Sequence, residues 1–123
     1  MTNKPKFNLF KNVGYALSGM RYTVTQESSF RTQLLVIALI AVGLFFAPIS
    51  LLSKWILFAS TWLVLIAEAF NSAIERVVDL VTQEYHPLAG QAKDIGAFGV
   101  FLAFWLVVMI WGIVLFYELG IRI

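Results

Sequence analysis

Between Ile95 and Tyr117 lie 23 consecutive uncharged residues, among them Trp105, Trp111 and the segment Val107-Val108-Met109-Ile110. About 20 apolar residues in an α-helix cross the roughly 30 Å hydrocarbon core of a bilayer, so this run reads as a transmembrane helix. The rest of the chain agrees. Of its 123 residues 60% are apolar and 13% charged, whereas soluble domains carry about 45–50% and about 25%. One core of a 13.9 kDa chain holds only part of this apolar content, and the remainder must face lipid. An ordinary soluble domain is thereby excluded. The absence of cysteine excludes disulfide scaffolds, thiolate metal sites and cysteine nucleophiles. A net charge of +2 is too small to suggest nucleic acid as a partner.

Two further spans are expected. Thr32 to Ser53 carries no charge, with Pro48 near its end serving as a terminus or a kink, and Lys54 lies just beyond it. Trp55 to Ala67 offers only 13 uncharged residues, about 20 Å of helix against a core of about 30 Å. To cross, this helix must continue through Glu68 and Asn71 toward Glu75. Charged groups at that depth are costly and call for a functional reason. The stretch before the first span, Met1 to Phe30, has neither the continuous apolar core nor the cleavage site of a secretory signal. Phe7, Phe10, Val13, Leu17, Met20 and Val24 recur every three or four residues, with Lys4, Lys6, Lys11 and Arg21 largely elsewhere, which predicts an amphipathic helix on the membrane surface. Gly14 and Gly19 weaken that helix, and packing on a partner protein is the alternative. The expected architecture is an all-α membrane protein: one membrane-embedded domain over 1–123, a surface helix over 5–30 and membrane helices over 32–53, 55–82 and 91–117. Pro87 disfavours helical geometry at His86, and Gly90 adds local freedom, so Tyr85 to Gly90 forms the break between the last two helices.

Lysine and arginine counts orient the chain. Lys4, Lys6, Lys11, Arg21 and Arg31 precede the first span, Arg76 and Lys93 lie between the second and third, and only Lys54 and Arg122 fall on the other side. The N-terminus is therefore expected in the cytoplasm. Glu68, Glu75, Asp79, Glu84, Asp94 and Glu27 all belong to the same membrane face, so any chemistry is cytoplasmic.

The informative cluster is Glu68, Asn71, Glu75 and Asp79, spaced by three, four and four residues and hence aligned on one helix face. Carboxylates so placed near low dielectric must take up protons, find cations or bind a divalent metal, and hard oxygen ligands suit magnesium. Glu84, Tyr85, His86, Lys93 and Asp94 follow in the connection; taken singly, each reads as an ordinary solvated residue. The single histidine has no partners at metal spacing, so no zinc site is expected. Glu27 either pairs with Arg31 one helical turn on or serves the site. No Walker-type phosphate loop and no serine-nucleophile motif is present.

These residues resemble a known family. The chain is similar to the prokaryotic diacylglycerol kinases, small integral-membrane lipid kinases whose pattern is Glu-x-x-Asn-(Ser/Thr)-Ala-Ile-Glu-x-x-x-Asp on the second membrane helix and Lys-Asp opening the third. Here those are Glu68, Asn71, Ser72, Ala73, Ile74, Glu75, Asp79, Lys93 and Asp94. Gly14-Tyr15, Gly19-Met20-Arg21, Glu27, Phe30-Arg31 and Glu84-Tyr85-His86 also resemble that family, and the likeness runs from about Lys11 to Trp111. It implies a homotrimer in the bacterial cytoplasmic (inner) membrane, with sites between neighbouring subunits that transfer the γ-phosphate of magnesium-ATP to the hydroxyl of 1,2-diacylglycerol, giving phosphatidate. Glu68 would be the general base, and Asn71 would orient it together with the metal-binding acids. Glu27 and Glu75 would bind Mg2+, and with Tyr15, Glu84, Tyr85, His86, Lys93 and Asp94 they would hold ATP. Arg21, Phe30, Arg31, Glu68 and Trp111 would contact the lipid.

The chain departs from the pattern at Asn8, where an Arg is usual, and at Ala97, where a Ser is frequent. Its His86-Pro87-Leu88-Ala89 is more similar to the related undecaprenol kinases, which makes undecaprenol the alternative acceptor. Two other classes compete. A small proton or ion transporter would use the stripe as a relay, but it would spread polar groups through the whole membrane depth, and Ile95 to Tyr117 and Leu34 to Leu52 contain almost none. A non-enzymatic subunit would use Gly96, Gly99, Ala103 and Gly112 only for close helix packing.

Overall fold

In a computed structural model, which describes residues 6–120, the chain forms four helices and no strand among those residues. They are α1 (Leu9–Gln26), α2 (Ser28–Phe46), α3 (Leu51–Val81) and α4 (Pro87–Glu118). Lys4 and Arg122 lie outside the described residues. The last three helices are each long and apolar enough to cross a membrane. The all-α membrane architecture is thus as expected.

Local chemistry sets the helix ends. Asn8 caps α1 by accepting the backbone N–H of Lys11 at 3.2 Å, and α1 then runs unbroken through Gly14 and Gly19. At Glu27 the backbone turns extended (φ −110°, ψ 106°), so α1 stops before Phe30 and α2 begins at Ser28. Pro48 acts as a terminus rather than a kink: Ala47 adopts φ −68°, ψ 137°, which the following proline favours, and α2 ends at Phe46. Ser50 caps α3 through the N–H of Ser53. His86, held at φ −142°, ψ 132° before Pro87, caps α4 by accepting the N–H of Leu88 on Nδ1 at 3.1 Å. With Pro87 in the first turn the helix starts at once, and Gly90 lies inside α4 rather than in the connection. Gly120, at φ +72°, sits just past the C-terminal end of α4 in the left-handed conformation common there.

The length of α3 resolves the short middle span. Its 31 residues make about 46 Å of helix, well beyond the roughly 30 Å core, so the helix is long enough to cross and to carry the later residues of the acidic stripe beyond an apolar layer of that thickness. α3 is the centre of the fold, packed most extensively on α4 and next on α2, while α1 touches α2 lightly. Its inward face is mostly small or polar: Ser53, Ser60, Thr61, Asn71 and Ser72 are buried beside Leu57 and Leu65. Such residues let membrane helices approach closely, provided that their hydroxyls are satisfied. Ser60 donates to the Leu57 carbonyl at 2.7 Å and accepts from Trp111 Nε1 at 3.1 Å, and Thr61 donates to the Phe58 carbonyl. Of the small residues on α4, only Gly96 is buried, against Asn71; Cβ atoms at Gly99 or Gly112 would meet nothing within 4 Å.

Candidate functional site

The polar stripe, the N-terminus of α4 and the α1–α2 junction come together at one end of the three long helices. Each stripe residue has a defined partner. Glu68 is gripped from α2: Ser29 donates its hydroxyl to Oε1 at 2.9 Å and Gln33 donates Nε2 to Oε2 at 3.3 Å. One turn on, Asn71 donates Nδ2 to Glu75 Oε1 at 3.3 Å. Another turn on, Asp79 accepts from Lys93 at 2.7 Å, tying α3 to α4 just beyond their connection. The sequential alignment therefore becomes three separate interactions rather than one crowd of repelling acids.

The α1–α2 junction gives Glu27 a partner. It does not pair with Arg31; it meets Arg76 of α3 at 3.5 Å, next in sequence to Glu75. Arg31 turns the other way and donates Nη1 to the carbonyls of Val24 and Thr25 at 2.8 and 3.0 Å. Those carbonyls lie in the last turn of α1, where no intrahelical donor reaches them, so the guanidinium acts as a cap.

Two buried amide oxygens, Gln33 Oε1 and Asn71 Oδ1, have no hydrogen-bond partner among the described residues. Asn71 is confined by Gly96, since a Cβ there would collide with Oδ1. Between α1 and α3 a groove of about 440 Å³ is lined by Gly19, Met20, Phe30, Ala69, Ala73 and Arg76. Arg21 lies on the other side of α1, beside Ser18, Tyr22 and Thr25. Tyr15, Glu84, Tyr85 and Asp94 are exposed, and the Glu84 N–H donates to the Thr82 hydroxyl at 3.2 Å. His86 spends Nδ1 on the helix cap and leaves Nε2 outward. Trp111 stands apart from the stripe. Its partner Ser60 precedes Glu68 by eight residues, about 12 Å along the helix axis.

Among the described residues no group of three or more His, Asp or Glu is poised as a ready metal cage. What the arrangement offers is an anchored carboxylate at Glu68, two further acids at Glu27 and Glu75, and a cation at Lys93. Ser29 and Gln33 escaped the sequence reading. Their signal was present, since two polar residues spaced by four at the start of an apolar span share one helix face.

Comparison with known proteins gives this end of the molecule a context. The family model for prokaryotic diacylglycerol kinase matches residues 14–115. The diacylglycerol kinase of Escherichia coli strain K12 is 36% identical over 112 residues, covering 91% of this chain and 92% of that protein. That of Haemophilus influenzae is 33% identical over 110 residues, covering 89% and 93%, and that of Pseudomonas aeruginosa 34% over 102 residues, covering 83% of each.

Proposed function

The chain belongs to the prokaryotic diacylglycerol kinase family, and from that premise we propose how its own residues carry the reaction. The protein is a lipid kinase of a bacterial membrane, and its acceptor is diacylglycerol; the undecaprenol alternative is not favoured by the three relatives above, each named diacylglycerol kinase. In the proposed orientation the N-terminus and the polar end lie in the cytoplasm, at the inner membrane of a bacterial cell. ATP is the phosphate donor. The observation that carries the reading is Glu68, a carboxylate anchored from α2 at the membrane-facing end of the stripe, where a lipid hydroxyl emerges from the apolar layer.

Phosphoryl transfer asks the protein mainly for positioning and for neutralisation of phosphate charge. Glu68 accepts the proton of the lipid hydroxyl while that oxygen bonds to the γ-phosphorus and the bond to the ADP oxygen breaks. Asn71, held between Glu75 and Gly96, orients the Glu75 carboxylate. The donor set fits Mg2+, an ion that takes one or two protein carboxylates and completes its shell with water and phosphate oxygens. Glu27 and Glu75 would hold it, and when bound it neutralises charge on the phosphates. Lys93 and Asp94, with Tyr15, Glu84, Tyr85 and His86, surround the nucleotide. Arg21, Phe30 and Arg31 border the lipid headgroup, and Trp111 contacts the lipid deeper in the membrane. We also infer a homotrimer with sites shared between neighbours.

The test is transfer of phosphate from γ-labelled ATP, with magnesium, in mixed micelles offering 1,2-diacylglycerol or undecaprenol. Labelled phosphatidate, lost on chelation of the metal, is the expected product. Labelled undecaprenyl phosphate alone would move the acceptor, and no labelled lipid from folded protein would overturn the reading.

A further inference from the structure

Glu68 is held entirely by neutral donors. Ser29 Oγ and Gln33 Nε2 lie on one face of α2, four residues apart, and take one carboxylate oxygen each. Among the described residues Glu68 forms no ion pair: Arg31 is turned onto α1, Arg76 is committed to Glu27 and Lys93 to Asp79. The Gln33 amide has its direction set by the carboxylate, because the reverse orientation would place its carbonyl oxygen against Glu68. Its Oε1 is in turn left buried and free.

We propose that Ser29 and Gln33 are positioning residues for the reaction: the two-point clamp from α2 fixes the plane and direction of the Glu68 carboxylate so that its remaining lone pairs meet the lipid hydroxyl. This inference rests on Glu68 being the general base. A free glutamate samples many rotamers, and a base acts only within hydrogen-bond reach of the proton it takes. A guanidinium in the same place would hold the carboxylate as firmly but weaken it as a proton acceptor. Two neutral donors fix geometry without placing a positive charge on the carboxylate, and they leave each oxygen a second lone pair. The clamp also makes the base sensitive to the seating of α2 on α3, since both donors come from the neighbouring helix.

The experiment uses the full chain purified in detergent, assayed in mixed micelles of 1,2-dioleoylglycerol with magnesium-ATP. Ser29→Ala and Gln33→Met each remove one donor to a charged acceptor and are expected to lower kcat by about 5- to 20-fold, and together by about 100-fold or more. The KM for ATP and the thermal midpoint should not move. Ser29→Thr, which keeps the hydroxyl, should recover most of the rate, an outcome that a packing role for Ser29 would not produce. Glu68→Gln is the reference. If it is inactive while Ser29→Ala and Gln33→Met turn over at the wild-type rate, the clamp is overturned and the base assignment survives. If Glu68→Gln is itself active, the base assignment fails. A rise in the KM for ATP at unchanged kcat in Ser29→Ala would assign that residue to the nucleotide and also overturn the clamp.

Discussion

Asn71 sits at the tightest point of the polar end, with its amide nitrogen on Glu75 and its oxygen against the backbone of Gly96. Any side chain at position 96 must push that oxygen aside. Because the atom displaced is the tip of a side chain, the fold can absorb Gly96→Ala by swinging Asn71 away from Glu75. Kinase activity is therefore expected to fall by roughly tenfold, while stability falls by no more than about 1–3 kcal/mol, the usual range for modest overpacking. Steady-state kinetics and thermal unfolding on one preparation check the two halves. Glu68→Gln, which keeps the shape but removes the charge that accepts a proton, should abolish turnover and leave nucleotide binding intact. Titration with a fluorescent ATP analogue would detect the opposite result, loss of binding, which would contradict the role as base.

At the scale of the helices, the two ends of α3 and α4 are fastened by different chemistry. Lys93 and Asp79 join them at the polar end. At the far end Glu118 accepts from the Ser50 hydroxyl at 2.6 Å, from the Ser50 N–H at 3.2 Å and from the Ser53 hydroxyl, while Lys54 reaches the Phe45 carbonyl at 3.0 Å. Glu118 thus ties the last turn of α4 to the cap of α3 without touching the stripe. Glu118→Ala should lower the thermal midpoint in micelles and leave kcat unchanged well below that midpoint, because the clasp and the reacting groups lie at opposite ends of the helices. The α1–α2 junction makes a local prediction too. Arg31→Ala uncovers the carbonyls of Val24 and Thr25, and hydrogen exchange in the last turn of α1 should become faster while that of α3 is unaffected.

Across the whole molecule, most of the apolar surface is uncovered. Among the described residues Leu57 is the one large side chain that is fully buried, and α4 buries only Gly96 along 32 residues. Faces such as those of Leu39, Phe45, Phe104 and Met109 are bare in the single chain and need lipid or further copies against them. The proposed trimer predicts a protein mass of three chains by analytical ultracentrifugation in detergent, and a monomer of full activity would refute it. The membrane class was legible in the sequence because a 23-residue uncharged run has few other uses, and helix ends at Asn8, Pro48 and Pro87 follow from local capping and proline geometry. The face shared by Glu68, Asn71, Glu75 and Asp79 follows from helical periodicity alone. Partners across helices do not: that Glu27 meets Arg76 rather than Arg31, that Arg31 caps α1, and that Ser29 and Gln33 hold Glu68 depend on how α1 and α2 are seated on α3. Periodicity assigns a residue to a face of its own helix, whereas separations of 35 to 49 residues are closed only by packing. The sequence by itself determined the helices and the polar stripe; tertiary structure alone decided which side chain steadies which, because that choice is made between elements.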